Sequence, residues 1–188
     1  MKRRDALAAT IALLGVPVIG AQFFLSGCTK ADEKRTGLFT DEDIVLLDEI
    51  GETILPASEN SPGARAAQIG SFMKVMVTDC YDESEQKIFM EGIGKFKQYA
   101  SSTEGDFMNL SSEKKKTILI ALDKEAKDHS AAAAKGNDSK HYFSMIKQLT
   151  IWGYLTSEPG ATKALRFVPI PGRYEGCIPY SGEPAWLY

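Results

Sequence analysis

Five stretches between residues 41 and 156 repeat apolar side chains every three or four positions, and none of them alternates in twos. A period near 3.6 puts the apolar residues on one face of a helix, whereas a half-buried strand needs a period of two. The spacing predicts helices over about 41–55, 66–80, 83–101, 113–134 and 138–156. Their expected inward faces carry Ile44, Leu47, Ile50 or Gly51 and Ile54; then Ile69, Phe72, Met73, Met76 and Cys80; then Phe89, Ile93, Phe96 and Ala100. The fourth holds the dense run "TILIALDKEA", and Ser111 or Ser112 caps it. The fifth, with Tyr142, Met145, Ile146, Leu149, Trp152, Gly153 and Leu155, is the most apolar and is expected at the centre.

The punctuation agrees. Thr40 with Asp43 three residues on reads as a capping box. Pro56 ends the first helix, and "PASENSPGARAA" is turn chemistry. Gly92 and Gly94 weaken the third helix locally, since glycine costs roughly 0.5–1 kcal/mol against alanine in a helix interior. "GATKALRF" is read as a short sixth helix. The fold class is therefore all-α, a small bundle of about five to six helices in one domain over 39–188.

The last 21 residues, "VPIPGRYEGCIPYSGEPAWLY" (168–188), break this pattern with four prolines, three glycines, three tyrosines and a tryptophan. Those prolines forbid a continuous helix. The aromatic content is too high for a disordered tail, so these rings are expected to bury themselves on the bundle or against a second protein.

The first 27 residues read as an export signal: basic "MKRR", an apolar run broken by Gly15, Pro17 and Gly20, then small Ser26 and Gly27. Paired Arg3 and Arg4 resemble a twin-arginine signal, which carries folded cargo. Lys2 and Ala6 depart from the usual pattern, so a Sec signal is the alternative. "LSGC" matches a lipobox. Cys28 would then take a diacylglycerol and become the mature N-terminus, holding the protein at a membrane surface in the periplasm or cell envelope. An unmodified cysteine near an ordinary cleavage site is the other reading. Residues 28–38 form a polar tether.

Cys80 and Cys177 remain. In an exported protein they can bridge each other, closing a loop of roughly a hundred residues worth up to about 4–5 kcal/mol. They can also pair with a partner chain, or stay as buried free thiols.

Removing residues 1–27 takes away Lys2, Arg3, Arg4 and Asp5, leaving 19 basic and 24 acidic residues and a net charge of −5. An acidic body of this kind argues against nucleic-acid binding. His129 and His141 stand apart in the sequence, and there is no CxxC, HxxxH or GxSxG. "GIGKF" (92–96) has no preceding strand and is not a nucleotide loop. Glu158 with Pro159 suits a helix start. No catalytic, cofactor-binding or metal-binding residue is expected in this chain.

The segments "LFTDEDIVLLDEIGETILPASENSPGARAA", "FMKVMVTDCYDESEQ", "LIALDKEA" and "IKQLTIWGYLTSEPGATKALRFVPIPGRYEGCIPY", behind an Arg-Arg signal, resemble the gluconate 2-dehydrogenase subunit 3 family. These are small subunits of membrane-associated, flavin-dependent sugar and polyol dehydrogenases. The resemblance covers nearly the whole mature chain and is most specific in "GYLTSEPGATKALRFVPIPGRYEGC". It implies an accessory role. FAD and substrate chemistry would belong to a large subunit of the glucose-methanol-choline oxidoreductase type. That subunit would fold around its flavin, dock here, cross the membrane on this chain's signal, and pass electrons to a cytochrome c subunit or another acceptor. The signature block would structure the tail and contact the large subunit, with Tyr154, Glu158, Arg166, Arg173, Tyr174 and Trp186 as interface candidates; alternatively it folds back on the bundle. A stand-alone envelope lipoprotein that binds a ligand or acts as a scaffold is the competing reading.

Overall fold

Thr40 opens the first helix as the spacing predicts. Its hydroxyl oxygen accepts from the Asp43 amide at 3.2 Å, and the Asp43 carboxylate accepts from the Thr40 amide at 2.9 Å. With Asp41 and Glu42 this places three acids in the first turn, where the helix dipole favours them. The computed structural model describes residues 37–103, 105–133, 140–170, 172–173, 176–177 and 179–187. Its elements are α1 (Asp41–Ile54), α2 (Ile69–Cys80), α3 (Glu83–Thr103), α4 (Ser112–Ala133) and α5 (Tyr142–Thr156). Short 3₁₀ turns lie at Arg65–Ala67 and Phe107–Asn109, and a π-helical turn at Gly160–Ala164. Two strands, β1 (Arg166–Phe167) and β2 (Trp186–Leu187), pair in parallel. The all-α bundle expected from the spacing is the fold observed.

Three boundaries differ from expectation, one of them the start of α5, at Tyr142 rather than 138, with His141 as its N-cap. α2 starts at Ile69 rather than 66, because Gln68 adopts a left-handed conformation (φ 51°) that no α-helix can continue through. The sixth helix is a single wide π turn. It gives way at Leu165 to the β1 strand, so "RF" is extended rather than helical.

The core is one cluster drawn from all five helices. α3 buries Phe89, Ile93, Phe96 and Ala100, the stripe read from its sequence, and Gly92 with them. α5 is central and packs on α1, α2, α3 and α4. Phe143, Ile146 and Leu149 are almost completely buried there, and even Thr150 is inside, its hydroxyl donating to the Ile146 carbonyl at 2.8 Å. Trp152 and Leu155, which add to the apolar character of this helix, are 48% and 36% exposed. Trp152 instead leans edge-on against Phe72, with ring centres 6.0 Å apart.

Gly92 turns out to be a packing requirement. A Cβ at that position would sit 2.2 Å from the Tyr142 Cβ, so α3 and the start of α5 meet closely only because the side chain is absent.

Candidate functional site

The two stretches most distinctive in the sequence, "ETILPASENSPGARAA" and "GYLTSEPGATKALRF", meet in space. The first is a tightly turned connection after α1. Glu52 accepts amide bonds from Ala57 and Arg65, each at 2.9 Å, which fixes both limbs of the loop with one carboxylate. Ser58 and Ser61 exchange backbone bonds at 2.7 and 3.3 Å. Glu49, one turn earlier, accepts from Lys115 Nζ at 2.8 Å through one oxygen and from Arg65 through the other. Lys115 is buried, donates also to the Met108 carbonyl at 3.1 Å, and lies 5.7 Å from the Phe107 ring centre. Its charge is thus matched by Glu49, without which the buried ammonium would stand unpaired at a cost of several kcal/mol.

Tyr154 joins the second stretch to the first. Its phenol oxygen lies 2.5 Å from Ser61 Oγ, and the residue is only 3% exposed. One turn on, the Ser157 hydroxyl donates to the Tyr154 carbonyl at 2.6 Å and accepts from the Gly160 amide at 3.2 Å. A Cβ at Gly160 would fall 1.9 Å from the Tyr154 carbonyl oxygen, so the tight exit from α5 requires glycine. The chain then turns into β1. The Arg166 amide donates to Ala185 and the Val168 amide to Leu187, both at 2.9 Å, and this stitches the far end of the tail back to the bundle's exit. The Arg166 guanidinium stacks 3.9 Å over the Trp186 ring.

The interface candidates therefore separate. Tyr154, expected to face a partner, is buried against Ser61; its polar handle serves the fold. Glu158, Arg166, Arg173 and Trp186 are exposed, the last partly covered by Arg166. Tyr174 lies outside the described residues, as do Arg3, Arg4 and Cys28. The tail does not bury all of its apolar groups on the bundle: Ile170 is 84% and Tyr180 is 80% exposed. Cys80 and Cys177 are free and exposed, so the structure contains no Cys80–Cys177 bridge and the thiols are not buried either. Cys80 falls at the last residue of α2, beyond the end of the buried stripe Ile69–Met73–Val77.

Two grooves of opposite character flank the bundle. One, of about 570 Å³, runs between α1, α3 and the Phe107–Asn109 turn; Val45 and Met108 project into it, and Asp41, Glu42 and Asp106 ring it beside Lys97. Here Asp43 is buried. Burial alone would push its carboxyl up, but bonds from Lys97 at 2.7 Å and from Thr40 outweigh this and hold it below the usual range. The other groove, of about 690 Å³, lies between α4 and α5 under Trp152.

At the junction of α4 and α5, His141 caps α5 by accepting from the Phe143 amide at 3.3 Å through Nδ1. Its Nε2 lies 3.6 Å from Glu125, and its ring centre 5.4 Å from that of His129. Burial lowers its pKa below the usual value despite Glu125. Among the described residues, no three His, Cys, Asp or Glu side chains are placed to hold a metal ion. Nor is any helix among them long and apolar enough to cross a membrane.

Fold and site together define a small helical bundle with a braced loop–helix junction and apolar groups left facing outward on α5 and the tail. Residues 41–172 match the family model of gluconate 2-dehydrogenase subunit 3, which spans most of the chain, and the chain belongs to that family. Neither a curated protein nor a solved structure matches it. The family's description makes its members one subunit of a dehydrogenase complex.

Proposed function

We propose that this chain is the small, non-catalytic subunit that exports, stabilises and anchors a flavin-dependent sugar dehydrogenase. The large subunit holds FAD and oxidises the substrate, and a cytochrome c subunit or another acceptor takes the electrons. The observation that carries this reading is the family match over residues 41–172, which includes the braced junction and the start of the tail. Outward-facing aromatic and aliphatic groups on α5 and the tail support it, since such groups are what a partner covers.

The N-terminal sequence supplies the rest of the proposal. A flavoprotein that loads its cofactor before export needs a route for folded cargo, which Arg3 and Arg4 offer. Cys28 would carry the lipid and hold the complex at the membrane surface of the cell envelope.

The test is co-expression with a flavin-dependent dehydrogenase large subunit that carries no export signal of its own. The flavoprotein should appear in the periplasm with the intact chain and remain in the cytoplasm when Arg3 and Arg4 are both changed to Lys. Unchanged export in that variant would refute the escort role. Cys28→Ala should release the protein from membranes into the soluble fraction. Purified alone, the chain should bind no flavin.

A further inference from the structure

The groove between α4 and α5 has the wrong charge for the rest of this molecule. Beyond residue 27 the chain carries a net charge of −5. Yet this groove, and the smaller depression of about 250 Å³ that adjoins it, share the Asp123–Lys147 ion pair and are bordered by Lys116, Lys127 and Lys147. Asp123 is the one acid among the lining residues, and it is already engaged by two of those lysines: Lys127 at 2.7 Å and Lys147 at 2.5 Å. Among the lining residues described, three lysines thus face one acid, an excess of two positive charges. The surface between them is apolar: Ile120 is 60% exposed, Trp152 48% and Ile151 39%, with Leu155 beside them.

An apolar floor of this length between two packed helices, with cations along its border, suits an amphipathic segment that lays apolar side chains inward and carboxylates outward. The first groove, between α1 and α3, has acids on its border and would repel such a segment.

We propose that the α4–α5 groove is the docking site for an acidic amphipathic segment of the catalytic dehydrogenase subunit. This rests on the assignment of the chain to such a complex and names the surface and the chemistry of its partner. Trp152 is the aromatic anchor at the groove's edge. The three lysines select the acidic partner and steer its approach, so association weakens with salt.

The test uses the full chain, tagged and co-expressed with the same signal-less flavoprotein subunit, with complex formation read as flavin absorbance co-eluting with the tag and affinity measured by titration of the purified partners. Three variants address the groove: Trp152→Ser, Ile120→Asp, and Lys116→Glu combined with Lys127→Glu. Val45→Asp, in the acid-bordered groove, is the control. Each groove variant is expected to weaken the complex about tenfold or more, and Val45→Asp to leave it within about twofold. Thermal unfolding of each variant separates lost docking from lost folding, and Ile120 and Lys116, both exposed, are the substitutions least able to disturb the core.

Groove variants that unfold like the parent but still bind the flavoprotein with parental affinity would overturn the docking site while leaving the subunit assignment intact. A parent chain that fails to bind the flavoprotein would overturn both. Weakening by Trp152→Ser and Ile120→Asp without weakening by the lysine reversals would overturn the acidic character of the partner. Dimerisation of the chain alone, abolished by the same variants, would assign the groove to a second copy and overturn the proposal.

Discussion

His141 couples proton binding to the packing of two helices. As the cap of α5 it must keep Nδ1 unprotonated to accept the Phe143 amide, and protonation removes that acceptor. Its folded pKa lies below the unfolded value because burial disfavours the charge. The unfolded chain therefore takes up a proton at a higher pH than the folded one. The stabilisation is complete above the ordinary histidine value of about 6.5 and declines as pH falls from there through the lower folded value. Denaturant titrations at several pH values should show that decline, and His141→Asn, which keeps a capping oxygen, should flatten it. His129 and Lys95, which face the imidazole, reinforce this direction, while Glu125 opposes it. Tyr154 supplies a second test at this scale. Tyr154→Phe removes only the hydroxyl that meets Ser61 and should lower stability by about 1 kcal/mol. If the residue served a partner rather than the fold, stability would be unchanged and complex formation would drop instead.

At the scale of the element, α3 contains a controlled experiment. Gly92 and Gly94 are two residues apart in one helix and look equivalent in the sequence. Around Gly94 nothing lies within 4 Å of an added Cβ, whereas at Gly92 the Tyr142 side chain already occupies the space. Gly94→Ala should raise stability by about 0.5–1 kcal/mol, the usual helix-interior gain. Gly92→Ala should lower it by about 1–3 kcal/mol through overpacking. Chemical denaturation of the two single variants gives both signs in one comparison. The limits of sequence patterning are clearest in α3 and α5. α3 alternates charged and apolar faces, so its buried set could be read residue by residue. α5 is apolar on nearly every side. Its pattern announces burial without saying which arc is buried, and Trp152 and Leu155 lie on the exposed side. Only the positions of α1, α2, α3 and α4 around it decide that arc.

At the scale of the whole molecule, the tail returns to the bundle through a parallel pairing of two short strands some twenty residues apart. This leaves Cys177 and Cys80 free and exposed. Alkylation of the folded, unreduced protein followed by peptide mapping should label both thiols; protection of both until reduction would mean that the bridge forms after all. The amino-acid order by itself determined the five main helices, the Thr40 cap, the break before Pro56 and the family resemblance, because period, capping chemistry and motif are local and survive without coordinates. It could not determine that Tyr154 would turn inward to Ser61, that Gly92 would face a ring while Gly94 faced solvent, or that three lysines from two helices would border two adjoining apolar grooves. Those facts depend on which surfaces approach each other across dozens of residues, and that is settled only when the helices pack.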